Sequence, residues 1–109
     1  MAVTKSQQKP PHDTLYEAIL LLRDVDECKK FFQDLCTVFE LRAMEQRFEV
    51  ARMLDEGLIY NEILKRTGAS SATISRVNRS LQYGEGGYDM ILPRLKEKQE
   101  AQAQENEQL

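Results

Sequence analysis

At 109 residues the chain is one domain, able to bury roughly two-thirds of its unfolded surface, but around a core so small that pairing with a second copy would relieve it. Three Pro, five Gly and no sustained apolar–polar alternation exclude a β architecture and predict an all-α fold. A net charge of −3 excludes a general polyanion binder, the longest apolar run (residues 18–22) excludes a membrane span, and two Cys with one His exclude a metal cluster.

In chain order, residues 1–12 are polar, carry Pro10, Pro11 and His12, and read as a flexible tail. They hold no apolar leader, so a cytoplasmic protein with reduced thiols is expected. A domain is expected over residues 13–95. Thr14 and Glu17 have capping-box spacing and predict a first helix with the stripe Leu15, Ala18, Ile19 and Leu22. Asp26 is the expected cap of a second helix, whose stripe is Cys28, Phe31, Phe32, Leu35 and Cys36. The two cysteines lie about two helical turns apart, too far to bridge each other, and read as small packed hydrophobes. Thr37 and Glu40 form a second capping box, opening a helix that should run to about residue 56 and stop at Gly57. Its apolar positions Leu41, Met44, Phe48, Val50, Ala51, Met53 and Leu54 cover a wide arc, as expected of a central helix.

A fourth helix is predicted over residues 60–67, ending at Gly68, and a fifth from Ser70 or Ser71 to about residue 81. Residues 83–87, YGEGG, read as a loop. Tyr88, Ile91, Leu92 and Leu95 suggest a last short helix that Pro93 either interrupts or occupies in its first turn. Residues 96–109 are Lys, Glu, Gln and Ala with little to bury, and read as a polar tail, either a solvated helix extension or disorder.

Function is carried by residues 58–81, LIYNEILKRTGASSATISRVNRSL, which hold two short helices joined by a tight turn. That is the layout of a helix-turn-helix, whose second helix enters the DNA major groove. Ile74, Val77 and Leu81 should face inward against Ile63, leaving Ser71, Thr73, Ser75, Arg76 and Arg79 outward. Short side chains at the start of a reading helix let its axis approach the bases, and Lys65 and Arg79 can reach phosphate. From Gly57 to Leu81 there are four basic residues (Lys65, Arg66, Arg76, Arg79) and one acid (Glu62), a local positive excess on an acidic chain. The competing reading is a helical protein-interaction module without DNA binding. An enzyme is not expected: no nucleophile–base pair can be assembled, and YGEGG lacks the following Lys-Ser/Thr of a phosphate-binding loop.

LCTVFELRAMEQRFEVARML followed by GASSATISRVNRSL, within residues 35–81, resembles the Trp repressor superfamily, most closely its YerC/YecD group of bacterial proteins. The resemblance implies an all-helical, intertwined homodimer that binds a palindromic double-stranded operator and regulates transcription, in the founding case as a repressor. It places base-proximal positions on Ser71, Ala72, Thr73 and Ser75, with a further contact near Asn61. Together with Lys65, Ser70, Arg76 and Arg79, these are the candidate DNA contacts. The resemblance also implies a pocket for tryptophan or another small effector at Thr37, Arg47, Arg76 and Ser80. Val77 stands where the repressor has a glycine beside the indole, and overfilling such a site costs on the order of 1–3 kcal/mol.

Overall fold

The computed structural model describes residues 13–108; the tail read over residues 1–12 lies outside them. The regular structure of the described residues is all helical, with short turns between α1 (Asp13–Ile19), α2 (Val25–Leu35), α3 (Val38–Asp55), α4 (Tyr60–Thr67), α5 (Ser71–Tyr83) and α6 (Gly87–Glu107). The backbone divides into two units, Met1–Leu41 and Arg42–Leu109, with α3 beginning in the first and continuing in the second.

In the first unit the caps decide the boundaries. Thr14 is not a cap: α1 is already helical at Asp13, so Thr14 lies inside its first turn, and Leu22 falls beyond the last one. The cap of α2 is Asp24 rather than Asp26. Asp24 is extended and its carboxylate accepts the Glu27 N–H at 2.8 Å, while Glu27 reaches back to accept the Arg23 N–H at 2.9 Å. Asp26 sits within the first turn, where its charge favours the positive helix end. Cys36 is the C-cap of α2 rather than part of its stripe, and both thiols are free and half-buried. Phe31 and Phe32 meet edge to face, with ring centres 5.5 Å apart. No residue of α1 or α2 is buried.

The second capping box forms as expected. Thr37 donates its N–H to Glu40 Oε1 at 2.9 Å, and Thr37 Oγ1 accepts the Glu40 N–H at 3.1 Å. The bond from the Thr37 N–H, and secondarily the one with its side chain, holds the Glu40 carboxyl below the usual carboxylate range. A group whose folded pKa is depressed stabilises the fold above its unfolded pKa, and that stability is lost as pH falls through the folded value. Glu40→Gln is therefore expected to be less stable than the parent at neutral pH, with the difference vanishing on acidification; denaturant titrations of both proteins across that range measure it.

In the second unit a core of Val50, Ala51, Ile63, Ala69, Ile74 and Val77 joins α3, α4, α5 and the turn before α5. Met53, Leu54, Leu58, Leu81 and Tyr88 surround it, and Leu92 of α6 is buried. Tyr88 lies against Phe48 with ring centres 6.4 Å apart. The inward positions read for α5 are those found; of the apolar arc read for the central helix, Val50, Ala51, Met53 and Leu54 join this core and Phe48 meets Tyr88, while Leu41 and Met44 are not part of it.

The end of the chain departs from expectation. The loop is only Gly84, Glu85 and Gly86, because α5 continues to Tyr83 and α6 starts at Gly87. The last helix is 21 residues long, with Pro93 inside it rather than at its start. Pro93 removes only the N–H that Asp89's carbonyl would accept, and the Lys, Glu, Gln and Ala that follow are strong helix formers. Gly84 has a separate constraint: its N–H caps α5 at the Ser80 carbonyl, and a Cβ there would collide with that same oxygen. Gly84→Ala is expected to cost about 1–3 kcal/mol, read as a lowered denaturation midpoint, because only a backbone shift at the α5 end can admit the methyl.

Candidate nucleic-acid interface

The residues singled out for DNA converge on α4, α5 and the turn between them. Gly68 ends α4 in the left-handed region at φ +70°, where a side chain would be strained, and its N–H bonds the Leu64 carbonyl at 2.8 Å. Thr67 ties the turn from within. Its hydroxyl donates to the Ile63 carbonyl at 2.7 Å and accepts the Ala69 N–H at 3.1 Å. Ala69 then plugs the core, which fixes the exit direction of the chain. From α3, Gln46 Nε2 donates to the Thr67 carbonyl at 3.1 Å, so the end of α4 is also held from the central helix.

Ser70 caps α5, with Oγ accepting the Thr73 N–H at 3.1 Å. The two hydroxyls also bond each other at 3.0 Å. Ser70, Ser71, Ala72 and Ser75 are exposed and Thr73 is half-buried, while Ile74 and Val77 on the opposite side are buried. The helix therefore offers a row of short side chains whose position is set by its own apolar face. Asn61 and Lys65 are exposed on α4, and Arg76 and Arg79 on α5. Of the basic residues here, Arg66 is spent in an ion pair with Glu62 at 2.9 Å. Among the described residues, Lys65, Arg76 and Arg79 have no ion-pair partner, so their charge is available to a phosphate.

The implied effector residues are less well gathered. Arg76 and Ser80 line one open hollow with Arg79, Tyr83 and Gly84. Arg47 is exposed on α3 and does not line that hollow. Thr37 belongs to the first unit, where its hydroxyl is engaged in the cap of α3. Tyr83 is an addition. It is exposed four residues after Arg79 and seven after Arg76, on the same side of α5. That spacing was available in the sequence, but ending α5 near residue 81 hid it.

Among the described residues, no three His, Cys, Asp or Glu side chains gather as a metal site, and no helix is long and apolar enough to cross a membrane.

Three comparisons bear on this geometry. Residues 11–96 match the family model described as Trp repressor protein. The uncharacterized protein YerC of Bacillus subtilis (strain 168) is 55% identical over 85 residues, covering 78% of this chain and 82% of YerC. A crystal structure from Staphylococcus aureus, described as that of a candidate Trp repressor, superposes with a TM-score of 0.78 at 47% identity, covering 84% of this chain and 92% of that one. A TrpR-like protein from Eubacterium eligens ATCC 27750 gives a TM-score of 0.75 at 50% identity, covering 85% and 91%.

Proposed function

Because the chain belongs to the Trp repressor family, whose members are regulators rather than enzymes, we propose that it is a sequence-specific DNA-binding transcriptional regulator acting as a homodimeric repressor. In this reading α4 and α5 are a helix-turn-helix. The N-terminal part of α5 enters the major groove with Ser71, Ala72, Thr73 and Ser75 toward the bases. Asn61, Lys65, Arg76 and Arg79 hold the phosphates on either side. Its place of action is the cytoplasm, with the DNA it binds.

The observation that carries this reading is the division of α5. One side is locked into the core by Ile74 and Val77; the other opens on small polar side chains followed by two unpaired arginines. An ordinary helical corner has no need of both. Repression follows if the bound protein occupies a promoter.

Selection of genomic fragments by the purified protein at near-physiological salt tests the reading, and one enriched palindrome is the expected result. On that palindrome, affinity should fall steeply with salt. Arg79→Ala should weaken binding to all sequences alike and reduce the slope of log affinity against log salt by about one unit. A protein that enriches nothing, or binds a protein partner indifferently to salt, would sink the assignment.

A further inference from the structure

We infer that Tyr83 is a further DNA contact: with Arg76 and Arg79 it clamps the sugar-phosphate backbone beside the groove that α5 enters, its hydroxyl donating to a phosphate oxygen. The inference rests on the DNA-binding reading above and extends it to a neutral group at the far end of the reading helix.

Spacing supplies the first argument. Ala72, Arg76, Arg79 and Tyr83 follow i, i+4, i+7 and i+11, a single line along α5. The line starts at a position read as facing the bases and runs along the side away from the inward anchors Ile74 and Leu81. Chemistry supplies the second. Arg76, Arg79, Ser80 and Tyr83 line one open hollow with Gly84. Among the described residues, neither guanidinium nor the Tyr83 hydroxyl has a hydrogen-bond or ion-pair partner, and Tyr83 is 80% exposed. A lone exposed tyrosine is ordinary. A phenol sharing a hollow with two unspent guanidiniums is a site for an oxyanion, with charge from the arginines and a neutral donor from the ring.

The length of α5 says which oxyanion. At about 1.5 Å per residue Tyr83 stands about 16 Å beyond Ala72, whereas the major groove is about 12 Å wide and about 8.5 Å deep. A helix whose first turn meets the base edges therefore carries its last turn out to the groove wall. The partners there are phosphate and sugar, and tyrosine is among the side chains that bond them. The helix ends at Gly84, whose lack of a side chain leaves that end of the hollow open to a strand.

The test uses the full chain and its selected DNA site. Tyr83→Phe, which removes only the hydroxyl, is expected to weaken binding about three- to tenfold, the effect of one neutral hydrogen bond. The loss should be equal for the palindrome and for its single-base variants. The slope of log affinity against log salt should not change, because a neutral donor displaces no counterion. Replacing the phosphates one at a time by uncharged methylphosphonate locates the contact: at one flanking position Tyr83→Phe and the parent should bind alike. Inorganic phosphate at constant ionic strength should affect the melting of the two proteins equally. The inference is overturned if Tyr83→Phe binds like the parent, if its loss depends on the base sequence, or if no methylphosphonate removes the difference. It is also overturned if inorganic phosphate raises the melting temperature of the parent alone, because the hollow would then take a free anion. A parent that selects no DNA site would remove the DNA-binding reading itself, a result distinct from a parent that binds its site as well without the Tyr83 hydroxyl.

Discussion

Replacing Thr73 by Glu is expected to weaken binding to the selected DNA site by about a hundredfold or more, while leaving the fold as stable as the parent or more so. The two halves of this expectation come from the same position. Ser70 is the cap and Thr73 the third residue into α5, so Glu at 73 would complete the capping box that Thr37 and Glu40 already form at the start of α3. The helix should gain a bond from the Ser70 N–H and a favourable charge near its positive end. Toward DNA the change is the reverse. A hydroxyl can donate or accept; a carboxylate only accepts, and it would face base-edge acceptors and phosphates. Losing one good contact and adding repulsion amounts to about 3 kcal/mol, or two decades in affinity. Titration by fluorescence anisotropy at fixed salt, beside a thermal melt of the same sample, reads both halves. Normal DNA binding by a well-folded Thr73→Glu would show that α5 does not read the groove.

Most of the architecture around this site was legible because its boundaries are set by local chemistry. Gly57 and Gly68 end α3 and α4 where expected, Thr37 with Glu40 opens α3, and Ser70 opens α5. Each is a choice made within a few residues by a hydrogen bond or a positive φ. The errors arose where two local solutions compete. Asp24 and Asp26 are both able caps, and the choice falls on Asp24 because Glu27 can then answer from the third helical position to the Arg23 N–H. Thr14 loses its role because α1 is already helical before it. Pro93 reads as a breaker, yet a single missing donor does not stop a run of strong helix formers from continuing to Glu107.

At the candidate site, the identity of the exposed residues was legible from periodicity, since Ile74 and Val77 fix which side of α5 is free. What periodicity cannot give is how side chains spend their hydrogen bonds and charges. The pairing of the Ser70 and Thr73 hydroxyls, the capture of Arg66 by Glu62, and the tie from Gln46 to the Thr67 carbonyl all depend on rotamers and on a contact 21 residues apart in sequence. The pairing changes the chemistry offered to DNA: Thr73 is held in one orientation instead of rotating freely.

Replacing Phe39 by Asp is expected to dissociate the proposed homodimer and abolish DNA binding with it. Within the first unit, Leu20, Leu21 and Phe39 are 84%, 77% and 82% exposed, and neither α1 nor α2 has a buried residue. Helices with no fully buried residue offset little of the entropy of ordering their backbone, so this surface needs a cover. A second copy of the same unit is the cover proposed, in keeping with the small core of a 109-residue chain. Burying a large apolar side chain contributes about 1.5–3 kcal/mol, and in a two-fold assembly one substitution acts twice. The loss is then about 3–6 kcal/mol, or a dissociation constant raised by about a hundredfold or more, before the desolvation of two carboxylates is added. Asp suits this test because Phe39 lies in the first turn of α3, where a negative charge favours the helix, so α3 itself should still start at its Thr37 cap. Sedimentation equilibrium measures the assembly directly. A Phe39→Asp protein that remains dimeric would place the contact between copies elsewhere; one that becomes monomeric but binds the palindrome undiminished would show that a single reading head suffices.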